Sequence, residues 1–228
     1  MTDRRKYASP PCMADEVDPA YFDPSGVDAD QVRDVARWRR AERQRLARLR
    51  DDLGQAGRAR VSEEIAKHLA GVLEARGAGQ GTVLSGYWPI KGEPDLRPLL
   101  KELHGAGVTI ALPVVETRAA PLVFRRWTPE TKMVRGDWNI PVPPPEAELL
   151  TPDITLAPCL GWSDGCYRLG WGGGYFDRTL AVLDPRPIVI GIALSSAHLP
   201  TIYPQPHDIP LDLIVNEAGV STERTSNS

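Results

Sequence analysis

An α/β fold with a mostly parallel sheet is what this sequence predicts, and three observations carry the expectation. From residue 82 to residue 215, apolar runs of strand length alternate with amphipathic helical periods. A dense glycine stretch stands between one such run and a helix, where α/β sheets gather ligands beyond the carboxyl ends of their strands. With 228 residues, 42% of them hydrophobic and 25% charged, the chain can bury a real core without staples.

The same totals exclude several function classes. A net charge of −3 does not suit a chain that holds nucleic acid or anionic membrane by charge alone. The longest apolar runs fall far short of the ~20 residues that span a bilayer, and residues 1–30 mix acids with prolines where a signal peptide needs an apolar stretch. Cys12, Cys159 and Cys166 form neither an even set nor a CxxC pair, which argues against a disulfide framework or a zinc site. The cytoplasm is the expected compartment, and a monomer or weak homodimer the expected assembly.

Residues 1–29 lack apolar periodicity and read as an extended arm. A helix is predicted from Asp30, with Val32, Val35, Leu46, Leu49 and Leu53 on one stripe, onto which Arg39 and Glu42 also fall. A second helix is predicted over 61–75. Strands are then expected over 82–88, 108–115, 122–127, 154–158, 188–194 and 211–215, and helices over 95–104 and 175–183. Residues 128–152, with five prolines between Pro141 and Pro152, should run irregularly over the surface. The expected organisation is one domain over 30–220, with a mobile polar tail over 221–228.

Five of the ten residues from Gly165 to Gly174 are glycine. A tight strand-to-helix turn usually needs one or two. Glycine admits positive φ and removes Cβ, so several amides can converge on one anion at a helix N-terminus. Phosphate binding is therefore preferred to a plain turn. No GxxxxGK[ST] is present, and GxGxxG fails because position 175 is Tyr.

The run RLGWGGGYFDR, residues 168–178, resembles the RLGxGxGYYDR signature of 5-formyltetrahydrofolate cyclo-ligases. Tyr87-Trp88-Pro89 with Gly92-Glu93, Leu112-Pro113-Val114, Trp138-Asn139-Ile140-Pro141, Ala157-Pro158 and His207-Asp208-Ile209-Pro210 follow the family in order. The resemblance spans most of residues 33–216. It implies a three-layer α/β/α fold like the NagB/RpiA group, with reduced folate and ATP as substrates and Mg2+ as cofactor. The implied reaction closes 5-formyltetrahydrofolate to 5,10-methenyltetrahydrofolate. Carried onto matching positions, it assigns ATP to Arg39, Arg168, Leu169, Gly170, Trp171, Gly172, Gly173, Gly174, Tyr175 and Phe176. Folate goes to Trp88, Glu93 and the segment from Trp171 to Tyr175, catalytic roles to Glu93, Arg168 and Tyr175, and the metal to Asp177 and Asp208. On the residues alone, Glu93 reads as an exposed loop acid, Trp88 as a half-buried strand aromatic and Asp177 as a helix-start acid.

Residues 33–50 hold eight arginines against two acids. Arg39 lies on the inward stripe and resembles a family arginine that reaches the ATP phosphates; the other arginines read as surface or partner contacts. Two departures stand out: Val35 occupies the usual lysine position one turn earlier, and Phe176 replaces the second signature tyrosine. Besides the active cyclo-ligase, two other readings are a divergent paralogue that keeps a folate or nucleotide ligand without full activity, and a nucleic-acid module on the arginine helix. The acidic balance argues against the last.

Overall fold

The computed structural model describes residues 29–224, so the expected N-terminal arm lies almost wholly outside the described residues. Two long helices open it, α1 (Ala29–Asp52) and α2 (Gly54–Ala75). The second begins seven residues before its expected start. Residues 55–60 lack an apolar stripe but consist mostly of Gln, Ala and Arg, which are good helix formers, and Gly54 at φ +60 is the break that separates the two helices.

There follow β1 (Val83–Ser85), α3 (Arg97–Gly105), β2 (Thr109–Val114), β3 (Val123–Trp127), β4 (Val134–Arg135) and β5 (Pro141–Val142). The second half holds β6 (Ile154–Pro158), β7 (Gly161–Ser163), β8 (Tyr167–Leu169), α4 (Tyr175–Val182), β9 (Ile188–Ile192), β10 (Leu213–Asn216) and β11 (Gly219–Glu223). Seven strands form the central sheet in the order β11-β10-β9-β6-β1-β2-β3. The five inner strands run parallel, and β3 and β11 pair antiparallel at the edges.

Alternate side chains along the strands divide into two cores, which makes the fold three-layered. Leu156, Ile190, Ile192, Leu213 and Val215 pack with Ile65, Leu69 and Leu73 of α2 and with Leu99 and Leu100 of α3. Ala157, Val189 and Ile214 face the other way, onto Leu46 of α1, Leu180 of α4 and Trp162 and Leu169 of the β7–β8 hairpin. A strand with both faces covered reads as a continuous apolar run, which is why β6 and β9 are plain in the sequence. The α/β expectation and the mostly parallel sheet both hold.

Three details differ from the sequence reading. The segment expected to be irregular carries the small β4–β5 hairpin. The segment expected to be a mobile tail from Ser221 instead continues as strand to Glu223, paired with β10 and tied by an Arg76–Glu223 ion pair. Its exposed, polar face gave no alternation to read. The first strand stops at Ser85, short of its expected end; at the next residue a Cβ on Gly86 would lie 2.5 Å from Leu100, a close approach of sheet to α3 that only glycine allows. No helix among the described residues is long and apolar enough to cross a membrane.

Candidate active site

The glycine loop is placed by the β7–β8 hairpin. From the carboxyl end of β6 the chain runs out along β7 and back along β8, and the Leu160 amide donates to the Leu169 carbonyl at 2.9 Å. Gly170 therefore starts beside the carboxyl end of β6. Gly172 and Gly174 have φ of +104 and +62, and Gly174 ends the loop as the left-handed residue before α4, without a side-chain cap. Uncapped first-turn amides at the end of a glycine loop suit an anion.

Guanidinium groups fill the space that the missing Cβ atoms leave. A Cβ on Gly170 would lie 2.7 Å from Arg168 Nη1, one on Gly172 3.3 Å from Arg43 Cζ, and one on Gly174 3.5 Å from Arg178. Arg43 Nε donates to the Gly170 carbonyl at 2.9 Å and Arg178 Nη1 to the Gly173 carbonyl at 2.7 Å. Lys91 stands 4.4 Å over the Trp171 ring. The loop is thus locally cationic in an acidic protein. Sequence reasoning placed Arg43 on the surface; its one-turn spacing after Arg39 was the signal available.

Glu93 is not the exposed acid that its loop position suggested. It is 7% exposed, with Oε2 accepting from the Ile90 amide at 3.0 Å and Oε1 from the Trp171 indole Nε1 at 2.9 Å. This second bond joins the turn after β1 to the glycine loop after β8, which the hairpin sets beside the end of β6, the strand next to β1. It also joins the walls of two hollows. Glu93 borders a cleft of about 700 Å³ with Arg58, Ser62, Gly92 and Asp95. Trp171 borders one of about 230 Å³ with Arg40, Arg43 and Gln44. Burial pushes the Glu93 carboxyl above the usual range, opposed by its two hydrogen bonds and then by Arg50 and Lys91.

A carboxyl raised by burial is most favourable to folding below the ordinary carboxylate range, and that contribution is lost as pH rises through the folded value. Glu93→Gln removes the titration. Its melting temperature relative to wild type should therefore rise as pH climbs from the ordinary carboxylate range through the raised folded value, as thermal unfolding over a pH series would read. A constant difference would mean that Glu93 does not titrate as a buried carboxyl.

The arginines expected at phosphate and the acids expected at metal are paired with each other. Arg39, 8% exposed, holds Asp208 through both terminal nitrogens, one bond at 3.1 Å, and donates to the Ile202 and Tyr203 carbonyls at 2.9 Å. Arg168 Nη2 donates to Asp177 Oδ2 at 2.8 Å, and its guanidinium lies 5.0 Å over the Phe176 ring. The departure at Phe176 thus keeps the aromatic face beneath that guanidinium. The Ile209 amide donates to Asp177 Oδ1 at 3.3 Å, which ties the backbone next to Asp208 to the start of α4.

No group of three or more His, Cys, Asp or Glu capable of holding a metal occurs among the described residues. The donor set offers only two carboxylates, each already paired with an arginine. It fits a hard cation carried mainly by phosphate oxygens and water, as Mg2+ usually is, and not an all-protein cage.

Tyr175 opens α4, where its hydroxyl accepts from the Ala119 amide at 3.3 Å and its ring meets the exposed Trp138 edge-on, with centroids 5.6 Å apart. Trp88 packs toward α3, with the Arg97 guanidinium 4.8 Å over its ring. The structure thus brings together Arg39, Glu93, the residues from Arg168 to Asp177, and Asp208 through these contacts.

Comparison with known proteins converges on one family. The profile of the 5-formyltetrahydrofolate cyclo-ligase family matches residues 35–217. A 5-formyltetrahydrofolate cyclo-ligase of Mycolicibacterium smegmatis is 32% identical over 139 residues, which are 58% of this chain and 71% of that one. One of Haemophilus influenzae is 24% identical over 180 residues, 76% of this chain and 95% of that one. The solution structure of Aquifex aeolicus 5,10-methenyltetrahydrofolate synthetase superposes with a TM-score of 0.70 at 29% identity, covering 83% of this chain and 95% of that one. With its glycine loop, buried glutamate and sheet order set beside a profile match over most of its length, the chain belongs to the 5-formyltetrahydrofolate cyclo-ligase family.

Proposed function

We propose that this protein closes 5-formyltetrahydrofolate to 5,10-methenyltetrahydrofolate, using ATP and releasing ADP and phosphate. The observation that carries the reading is the Glu93–Trp171 hydrogen bond, which locks a buried carboxylate to a cationic glycine loop. An N-formyl group is an amide, and its oxygen leaves poorly until it is phosphorylated. Transfer of the γ-phosphoryl group to that oxygen gives an imino-phosphate. The N10 lone pair then attacks the formyl carbon, the C–O bond breaks, phosphate leaves with the electron pair and N10 loses its proton.

Positioning and charge neutralisation are what such a sequence needs from a protein. The amides from Gly172 to Phe176 and the guanidinium groups of Arg43 and Arg178 neutralise the phosphates. The ion pairs of Arg39 with Asp208 and of Arg168 with Asp177 hold loop and helix in register. Trp171 and Tyr175 border the folate, with Trp88 on its outer side. Asp177 and Asp208 would hold Mg2+, which when bound offsets charge on the transferring phosphoryl group. Glu93 keeps its carboxylate dry and facing the cleft, as an acceptor for N–H groups of a reduced pterin.

The test is the growth of near-ultraviolet methenyltetrahydrofolate absorbance with enzyme, 5-formyltetrahydrofolate, ATP and Mg2+, and its failure without ATP. Asp177→Asn should lower this turnover at least tenfold at temperatures where the variant is fully folded; its melting temperature falls as well, because the amide keeps one acceptor oxygen where Asp177 uses two, for Arg168 and for the Ile209 amide. Near-normal turnover with unchanged Mg2+ dependence would reduce Asp177 to a helix-start residue. One observation favours a second reading: both expected phosphate arginines are engaged by acids, as in a paralogue that keeps the folate cleft with altered nucleotide use. Folate binding without ATP-dependent absorbance growth would select it.

A further inference from the structure

Arg50 is 1% exposed, in the last turn of α1, on the inward stripe one turn beyond Leu46. It is one of the arginines that the sequence assigns to the surface or to partner contacts, and the structure buries it completely. Its Nη2 donates to the Cys159 carbonyl at 2.8 Å, at the end of β6. Its Nε and Nη1 meet no acceptor among the described residues. Two unmatched donors on a buried cation are costly unless a nearby negative charge compensates them.

That charge is Glu93. The side chain of Arg50 runs directly behind Gly92, where a Cβ would touch Arg50 Cγ and Cδ at 3.5 Å. Its guanidinium lies 5.9 Å from the Trp171 ring, and Trp171 itself donates to Glu93. Buried guanidinium, half-buried indole and buried carboxylate therefore form one cluster in which cation and anion attract without a direct hydrogen bond. Other charges near the carboxylate are fewer or more exposed. Lys91 lies in the same turn, over Trp171, and Arg58, Glu63 and Lys67 of α2 line the adjoining cleft. Asp95 is held by Arg97, and Tyr87 is buried with its hydroxyl donating to the Pro94 carbonyl.

We propose that Arg50 is a positioning residue, whose buried guanidinium holds Glu93 in the ionised, double-acceptor form that tethers Trp171 and with it the glycine loop. Only the ionised carboxylate offers both oxygens as acceptors with no competing O–H. The electrostatics agree in direction: burial raises the Glu93 carboxyl and Arg50 lowers it, while burial lowers the Arg50 guanidinium and Glu93 raises it. Without the guanidinium, Glu93 takes up a proton at a higher pH, one oxygen becomes a donor, and the indole loses its partner. The tether is a property of the fold. Its consequence for turnover rests on the cyclisation reading above.

The experiment follows the Trp171 indole N–H by 15N NMR in the full chain over a pH series, with the signal assigned by Trp171→Phe. In Arg50→Met the indole signal should titrate with a midpoint at least ~1 unit above that of wild type, and Arg50→Lys should restore most of the shift. If the chain cyclises 5-formyltetrahydrofolate, the acidic limb of its kcat/KM profile moves by the same amount. The indole readout stands whether or not turnover is seen, so failure of the tether and failure of the cyclisation reading are distinguishable. An Arg50→Met midpoint equal to wild type, with only a lower melting temperature, would overturn the proposal and leave Arg50 as core filling. If Arg50→Met does not fold, Arg50→Met/Glu93→Gln should, because the uncompensated carboxylate is gone. A double variant no more stable than the single one would overturn it equally.

Discussion

Gly172→Val should reduce nucleotide affinity and ATP-dependent turnover by more than about a hundredfold, while the melting temperature falls by only a few degrees. Two strains coincide at this residue. Its φ of +104 lies where a β-branched residue costs ~1–3 kcal/mol. The new Cβ would also stand 3.3 Å from Arg43 Cζ, in the space where that guanidinium reaches over to the Gly170 carbonyl. Either the loop backbone relaxes, turning its amides away from a phosphate, or Arg43 withdraws. Both remove charge-assisted contacts to an anion, each worth ~1.5–3 kcal/mol, so losing two or three of them exceeds a hundredfold in affinity. The stability cost stays modest because the loop is a surface segment held at both ends, by β8 and by α4, and neither core cluster includes Gly172. Calorimetric titration with ATP, set beside thermal unfolding, measures the two effects separately. Retained ATP affinity would show that the glycine serves the turn alone.

The contrast between Gly172 and Arg50 shows what could be read from the sequence and why. The glycine loop is a local feature: five glycines in ten residues announce themselves, as do the buried runs of β6 and β9, whose two covered faces leave no polar alternation. Helix α1 was legible as a helix and its stripe as a stripe. What its arginines do was not, because each partner is distant in the chain. Arg39 meets Asp208 across 169 residues, Arg43 meets Gly170 across 127 and Arg50 meets Cys159 across 109. No periodicity carries that information. Glu93 was misjudged on its own residues for a related reason. A loop acid before a proline is usually wet, and what makes this one dry is the fold of a tryptophan 78 residues away. The edge strand β11 escaped because half of an exposed edge strand is polar by necessity, and its pairing partner, not its own pattern, makes it a strand.

The arginine that its inward stripe and the resemblance put at phosphate gives the second large expected effect, and it falls on stability first. Arg39→Ala should destabilise the protein by about 3–5 kcal/mol, because it strips the partner from a buried carboxylate. At ~2–4 °C per kcal/mol for a chain of this size, the fall in melting temperature is easily read. Arg39 makes four hydrogen bonds, to both oxygens of Asp208 and to two carbonyls, which leaves its guanidinium little freedom to seek a phosphate as well. Arg39→Ala/Asp208→Asn should recover part of the loss, since the uncompensated charge goes with it. Val35 is 7% exposed one turn earlier. A lysine there buries a charge, so Val35→Lys should destabilise without tightening ATP. The alternative keeps Arg39 in direct contact with nucleotide. It requires ATP affinity to fall ten- to a hundredfold in Arg39→Ala at temperatures where the variant is fully folded, with no rescue from Asp208→Asn. If instead affinity survives and the double variant regains stability, Arg39 is the post that anchors Asp208. The direct cation at the loop is then Arg43, the residue whose guanidinium lies in the space left by Gly172.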